Sequence, residues 1–379
     1  MKFFQKLLVA PATIALALAP NLNGFAKDSN KSNQEKNQSN SEKLIAQVSN
    51  NDEANLKISV TGTRSPREIK NVPSAVNVID KKSIDSQGIK DLKSLFKYDP
   101  AVEIRTRTNN SYTSTYGQGN VNIRGMESNR ILMMRDNVNL PKRYEFSSSL
   151  GRADYVDLNT LKSVEILKGP ASSLYGSDAL GGVITYRSLY PEDLLTADET
   201  FKIEVPVNYD GSDSTTQGAF RIAIREEGSG IEAVVVATKA NGEELDAKAD
   251  KKYINDNENS KQSIYTNIVK NINDYTRLNF IYENVDKESD TTAKQDNLSS
   301  SYSAVTEEKD ITRWMANLGY EYDNSESNKF FNYAKINLFV QDADFSDDST
   351  VDYATSVSRF TGRTTPGYRN VNDNDLKDE

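Results

Sequence analysis

The spacing of hydrophobic and polar positions changes along this 379-residue chain. Near residue 170, two short apolar stretches, 164–167 and 183–186, flank a segment rich in Gly, Pro and Ser. This pattern predicts a strand, a Gly-Pro turn, a short helical turn, a Gly-Gly bend and a second strand. Beyond about residue 201 the apolar positions recur every second residue. That period predicts strands with one apolar face and one polar face.

The region from 72 to about 190 has a mixed pattern. It predicts strands at 75–79, 131–135, 163–167 and 183–186 and a short helical turn at 81–86. A helix is predicted over 89–98, with Leu92, Leu95 and Phe96 on one face and Asp99-Pro100 at its end. These elements indicate a small α+β unit.

The second half of the chain is predicted to be all strand. Phe220, Ile222 and Ile224 alternate with Arg221 and Arg225, and similar alternation marks 201–208, 217–227, 229–240, 262–272, 275–284, 309–322 and 330–341. The polar stretch 286–308 is predicted to be a long loop. Alternation over about ten residues is typical of membrane barrel strands. A soluble β-sandwich shows the same alternation, so this pattern alone leaves both architectures open.

The N-terminal residues predict export. Two lysines precede an apolar run at 7–19, which is too short to span a membrane, and small residues follow at 24–26. Residues 1–26 are therefore predicted to be a signal peptide, with an uncleaved anchor as the alternative. Residues 27–54 have the composition of a flexible tether. Residues 55–64 are extended and alternating, and could also be the first edge strand of the next domain.

Composition removes several classes of chemistry. The chain has no cysteine and no histidine, which excludes imidazole metal sites, Ser-His-Asp triads and disulfides within it. The net charge is −9 and no basic cluster occurs, so a nucleic-acid partner is disfavoured. We expect no metal site and no catalytic residue. Chemistry that uses carboxylates alone stays open.

Three segments closely resemble the plug domain of TonB-dependent outer-membrane receptors. They are 164–186, Asn122-Ile123-Arg124-Gly125-Met126 and 131–136. The resemblance implies an α+β plug domain followed by antiparallel transmembrane β-barrel strands, in the outer membrane of a Gram-negative cell. It divides the chain into the signal peptide (1–26), tether (27–54), TonB box (55–64), plug (65–195) and the N-terminal part of the barrel (196–379). Because that family's barrels have about 22 strands, we expect the chain to be a fragment or a truncated product.

The same resemblance implies partners and site residues. The TonB box would add a strand to a TonB-type energy-coupling protein by β-augmentation, and lipid would surround the barrel. The implied sites are the box residues Leu56, Lys57, Ile58, Ser59, Val60 and Thr61, the plug–barrel contacts Arg124, Arg135 and Lys168, and the motif glycines Gly125, Gly169, Gly176, Gly181 and Gly182. Asp136-Asn137 stands where the family usually has Asp-Gly, and Asn is the best substitute in a left-handed turn.

Two further segments suggest the ligand. Residues 151–165 and 190–195 are similar to receptors of the haem, haemoglobin, transferrin and lactoferrin group. The similarity implies uptake of haem or a haem protein, with a ferric siderophore as the alternative and no tightly bound cofactor. Since the chain lacks histidine, Tyr112 and Tyr116 are the candidate haem ligands. A secreted β-rich binding or adhesion protein is the alternative from another class.

Overall fold

The computed structural model describes residues 58–59, 67–68, 71, 75–105, 120–141, 155–211, 214–226, 228–242, 256–293, 302–324, 332–357, 363–372 and 375–378. The first part of this range contains nine strands and three short α-helices. They are β1 (Ile58–Ser59), β2 (Arg67–Glu68), β3 (Val76–Asp80), α1 (Lys81–Ser86), α2 (Leu92–Leu95), β4 (Val102–Arg105), β5 (Asn120–Ile123), β6 (Ile131–Arg135), β7 (Val138–Asn139), β8 (Leu161–Lys168), α3 (Ser172–Tyr175) and β9 (Gly182–Ser188). We refer to the described residues between 75 and 195 as the plug.

The plug is built on a five-stranded sheet of order β3-β8-β9-β6-β7. The neighbours β6 and β9 are parallel, and the other pairs are antiparallel. Apolar side chains fill its core because the central strands are covered on both faces. The largest apolar cluster includes Ile84, Leu92, Leu95, Phe96, Ile123, Ile131, Val164, Ile166 and Ile184. All four strands predicted for this region are present.

The first two helices of the plug are short and are capped by aspartates. Asp80 accepts a hydrogen bond from the Ser83 amide at 2.8 Å and begins α1, as predicted for 81–86. The prediction of a helix over 89–98 was wrong in length, since α2 has only four residues. The Asp91 side chain accepts from the Ser94 amide and starts the helix there, and a 3₁₀-type bond from Lys97 to Ser94 ends it. None of the described helices is long and apolar enough to cross a membrane.

A tight turn joins β6 to β7. Asp136 and Asn137 have φ angles of 47° and 73°. Positive φ at both central residues is the geometry of a type I′ hairpin turn. Asn137 therefore performs the backbone role for which Gly is more common.

Twelve further strands follow, and ten of them form a second, much larger sheet. They are β10 (Phe201–Glu204), β11 (Val207–Asp210), β12 (Thr215–Glu226), β13 (Ile231–Gly242), β14 (Asp256–Asn273), β15 (Thr276–Ala293), β16 (Tyr302–Asp323), β17 (Tyr333–Tyr353), β18 (Ser356–Val357), β19 (Thr364–Thr365), β20 (Arg369–Asn372) and β21 (Asp375–Asp378). The large sheet has ten antiparallel strands in the order β10-β12-β13-β14-β15-β16-β17-β20, with β11 also paired to β12 and β21 to β17. The pair β18–β19 is separate.

The predicted loop over 286–308 was wrong in extent. β15 and β16 stay paired from Thr276 opposite Tyr322 to Ala293 opposite Val305. Only residues 294–301 lie outside the described strands at that end. Side chains here are polar on both faces, so the hydrophobic period disappears although the backbone ladder continues. A strand that meets water on both sides needs no apolar face, and its sequence therefore gives no period to detect.

Candidate functional site

The outer face of the large sheet is apolar and exposed. Partners that lie directly opposite each other on neighbouring strands share a face. One such row runs Phe201, Ile224, Ala233, Ile268, Phe280, Leu318 and Leu338. Leu318 is 49% exposed and Phe280 is 41% exposed. A continuous apolar row open to the surroundings marks a surface that contacts an apolar medium or a partner.

The inner face of the same sheet carries buried polar and charged residues together with apolar ones, and it is covered by the plug. On β12 the buried positions include Gln217, Arg221 and Ala223, whereas Phe220 and Ile224 point outwards. On β16 the buried Arg313 and Asn317 alternate with Trp314, Ala316 and the exposed Leu318. The sheet is thus arranged with its apolar side outwards, and the plug lies against its inner side. The candidate site is this interface.

At the end of β6, the side chain of Arg135 crosses from the plug to the large sheet. Its Nε donates to Ser188 Oγ at 2.9 Å and its Nη2 to Thr160 Oγ1 at 2.9 Å, both within the plug. Its Nη1 donates to Glu283 Oε1 on β15, and its guanidinium lies 5.1 Å from the centre of the Tyr265 ring. Arg135 therefore fixes the plug to the sheet by a buried, charge-assisted bond.

Glu283 binds a second guanidinium from its own sheet. Arg313 Nη1 donates to Glu283 Oε2 at 2.7 Å, and Arg313 Nη2 lies 3.4 Å from Gln341 Oε1. Gln341 Nε2 in turn donates to the backbone oxygen of Asn139 in the plug at 2.9 Å. One buried carboxylate is thus shared between a cation of the plug and a cation of the large sheet.

Asp157 makes a second buried contact, with the charges reversed. It accepts from Lys261 Nζ at 3.1 Å and from Ser263 Oγ at 2.6 Å, both on β14. Lys261 also donates to Gln217 Oε1 at 2.9 Å. Burial by itself would raise the pKa of Asp157, but the charge of Lys261 and the hydrogen bonds outweigh it and hold that pKa well below the usual range. The plug carboxylate is therefore kept ionised.

A third contact joins helix α1 to β12. Arg221 donates to both oxygens of Asp85, at 2.9 and 3.0 Å, in a two-bond pair. Lys81 binds Asp85 at 2.9 Å and Glu204 of β10 at 2.8 Å. Burial alone would raise the pKa of Asp85, but hydrogen bonds from Arg221 and Lys81 lower it below its usual value. Charges of both signs alternate across this contact.

Residues 189–195, at the C-terminal end of the plug, also contact the large sheet. Tyr265 Oη and Asn267 Nδ2 donate to the backbone oxygen of Leu189 at 2.7 and 3.2 Å. Leu194 and Leu195 pack in an apolar cluster that includes residues of β12, β13 and β14. The motif 190–195, noted in the sequence, thus anchors the C-terminal end of the plug to the large sheet.

The predicted plug–barrel cations have different surroundings. Arg135 contacts the large sheet as described. Lys168 Nζ instead lies 2.7 Å from Asp99 Oδ2, within the plug, and the exposed Arg124 reaches the backbone oxygen of Lys168 at 3.5 Å. A barrel contact for Arg124 and Lys168 stays a prediction.

The motif glycines occupy the turns beside β8 and β9. Gly169 has φ of 133°, which favours glycine, and a Cβ on Gly182 would lie 2.6 Å from the backbone oxygen of Leu167. Gly125 and Gly176 also have positive φ, and a Cβ on Gly181 would meet Met126 at 2.6 Å.

Other predicted residues are described only in part. Ile58 and Ser59 form β1, which pairs with Arg67–Glu68 in β2. Leu56, Lys57, Val60 and Thr61 of the predicted TonB box lie outside the described residues, as do Tyr112 and Tyr116. No group of three acidic, His or Cys side chains that could hold a metal ion occurs in the described part of the chain.

Several interface residues were not predicted from the sequence, namely Glu283, Lys261, Asp85 and Asp157. A sequence signal exists for those on strands, because each is a charge on the polar side of a strand whose other side is apolar. It does not reveal which plug residue such a charge meets.

Residues 68–183 match the family model described as the TonB-dependent Receptor Plug Domain. These residues form a plug domain of the TonB-dependent receptor family. The matched range contains four strands of the five-stranded sheet in full and only the first two residues of β9. Receptors of this family are outer-membrane proteins of Gram-negative bacteria, and the outward apolar face of the large sheet is the face that such a barrel presents to lipid.

Curated relatives of this chain are named for different ligands. It is 26% identical to transferrin-binding protein A of Neisseria meningitidis serogroup B over 214 residues, 54% of this chain and 22% of the relative. It is 31% identical to the vitamin B12 transporter BtuB of Photobacterium profundum over 134 residues, 35% and 20% of the two chains. It is 27% identical to the heme/hemopexin utilization protein C of Haemophilus influenzae over 160 residues, 42% and 20% of the two chains. The matched segments thus span about a fifth of the length of these relatives.

A solved structure shares the fold. The FrpB iron transporter from Neisseria meningitidis, F3-3 variant, superposes with a TM-score of 0.56 at 14% identity. The match covers 73% of this chain and 45% of the transporter. The plug and the antiparallel strands that follow it are therefore the architecture of this receptor.

Proposed function

We propose that this chain takes part in the energised uptake of an iron-bearing ligand, haem or a haem protein, across the outer membrane. The observation that carries the proposal is the plug, which is held on the inner side of an outward-apolar sheet by buried charged contacts beside one apolar cluster. Such contacts can be exchanged one at a time, whereas a continuous apolar interface would resist movement. A secreted adhesion protein would have no need for an apolar row on its outside.

The choice of ligand rests on the names of the relatives and on two sequence motifs. The similarity to proteins named for transferrin and for haem and hemopexin favours an iron source over a vitamin. Within that choice, haem is favoured by the motifs at 151–165 and 190–195. Tyr112 and Tyr116 are proposed as haem ligands, since tyrosine can ligate ferric haem and the chain has no histidine. A ferric siderophore is the alternative ligand.

Energy coupling is proposed to act through residues 56–61. An extended segment can add a strand to a coupling protein in the periplasm through its backbone groups. The partner is therefore a TonB-type protein, recognised by β-augmentation rather than by a folded surface.

Deletion of residues 56–61 from the receptor, expressed from its own locus, tests this function. We expect surface binding of radiolabelled haemin to stay unchanged, because binding needs only the plug and the barrel. We expect accumulation of haemin in the cell to cease, because transport needs the force that the coupling protein exerts through residues 56–61. Deletion of six tether residues, 33–38, is the matched control and leaves uptake intact. Equal uptake in both deletions would refute the coupling role. Uptake of a ferric siderophore without haemin binding would change the ligand and leave the transporter standing.

A further inference from the structure

The contact between Arg135 and Glu283 differs from an isolated ion pair because Glu283 also binds Arg313. We propose that Arg313 takes over Glu283 completely when Arg135 leaves, so that movement of the plug never leaves a buried carboxylate unpaired. Arg313 is in this view a positioning residue for plug release, which acts through Glu283. The inference rests on the proposed function, in which the plug moves during uptake.

The charges of the three side chains support a transfer of partners. The side chains of Arg135, Glu283 and Arg313 are all 0% exposed. Two positive groups therefore share one negative group in a buried place, and the two guanidiniums repel each other. When Arg135 is withdrawn, Glu283 and Arg313 remain as a neutral pair. Loss of one partner from an isolated buried pair would instead leave an uncompensated charge, which is strongly unfavourable.

The hydrogen bonds of Arg313 provide the group that the transfer needs. Arg313 Nη1 already donates to Glu283 Oε2. Its Nη2, which lies at the same end of the guanidinium as Nη1, has only neutral acceptors among the described residues, Gln341 Oε1 at 3.4 Å and Met315 Sδ at 3.2 Å. Arg135 occupies Glu283 Oε1, and withdrawal of Arg135 frees that oxygen. Arg313 Nη2 can then leave its neutral acceptors and donate to the free oxygen, which completes an end-on, two-bond guanidinium–carboxylate pair together with Nη1.

The Asp157 contact lacks this arrangement. Its partner Lys261 also binds Gln217, which is neutral. Withdrawal of Asp157 leaves Lys261 with that amide, and no described carboxylate replaces Asp157. Arg135 and Asp157 are thus both charged plug residues that bind the large sheet. Only the partner of Arg135 has a second residue of opposite charge, Arg313, that can pair with it when the plug residue leaves.

The test combines Arg313→Met with Glu283→Gln in the receptor expressed from its own locus, with radiolabelled haemin as the probe. In Arg313→Met, release of the plug leaves the buried carboxylate of Glu283 without a cationic partner. We expect maximal uptake to fall by about tenfold with surface affinity unchanged. In the double variant there is no carboxylate at position 283 that could lose its partner, and uptake returns to within about threefold of the wild type. A merely structural role for Arg313 predicts no such rescue.

The control is Arg369→Met, which removes an exposed arginine of the same sheet that pairs with Asp352 at 2.6 Å and leaves uptake unchanged. Wild-type uptake in Arg313→Met, or a double variant no better than it, would overturn the proposal. If Arg313→Met does not reach the membrane, Arg313→Lys decides, because lysine keeps the charge and loses the two-bond fork. We expect slower uptake, and wild-type uptake overturns the proposal. Absence of haemin uptake by the wild type would refute the proposed function instead.

Discussion

The two sheets of this receptor use the same strand geometry with opposite polarity. In the plug, Val164, Ile166 and Ile184 point into a core and are fully buried. In the large sheet, Leu318 and Ile224 point outwards, while Arg221 and Arg313 are buried against the plug. A sheet that buries its charges and exposes its apolar side chains is stable only if the medium outside is itself apolar. The comparison shows that alternation alone does not say which face is inside.

The largest effect should come from a charge placed inside the plug core. Leu167 on β8 is 2% exposed and packs with Leu132, Met134 and Val183. We expect Leu167→Asp to destabilise the plug by about 4 kcal/mol or more, because the carboxylate would be buried without a partner. Protease resistance of the plug in outer-membrane preparations measures the effect.

Leu180→Asp is the matched control for that change. Leu180 is also in the plug but is 49% exposed. Its substitution should leave protease resistance unchanged within error. Equal sensitivity of both variants would mean that the apolar cluster around Leu167 is not a packed core.

The contrast between the sheets also explains which strands and contacts could be predicted from the sequence and which could not. Alternation at Phe220, Ile222 and Ile224 predicted a strand, and the structure has β12 there. The ends of β15 and β16 were missed, because outside the apolar band both faces are polar. Arg135 was predicted from the plug motif. Glu283 is 148 residues away from it, and no local pattern encodes a pairing at that distance.

A middle-sized effect is expected at the Asp157 contact. Asp157→Asn leaves Lys261 buried beside a neutral group and should cost about 3 kcal/mol near neutral pH. The folded protein lowers the pKa of Asp157. Its stabilising contribution is therefore present above the unfolded-state value, about 3.9, and is lost as the pH falls towards the folded-state value.

Urea unfolding of the wild type and of Asp157→Asn at several pH values measures this contribution. The gap between the two midpoints should be largest near neutral pH and should narrow progressively below about pH 4. Ser263→Ala, which removes one donor to Asp157 but keeps Lys261, is the control and should produce a smaller gap. A gap that widens with acid would contradict an ionised Asp157.

The smallest of the three effects should come from a charge on the outward face of the large sheet. Leu318→Arg places a cation in the middle of the apolar row, where lipid is the expected medium, at a cost of about 2 kcal/mol in a bilayer. Thr312 lies on the same strand and the same face, opposite Asp286 and Asp344 and beyond the apolar row. Thr312→Arg should therefore cost nothing measurable. Unfolding of the receptor in lipid vesicles compares the two variants. If Leu318→Arg is as stable as Thr312→Arg there, the outward face does not contact lipid, and the assignment of the apolar face of the large sheet to the membrane is wrong.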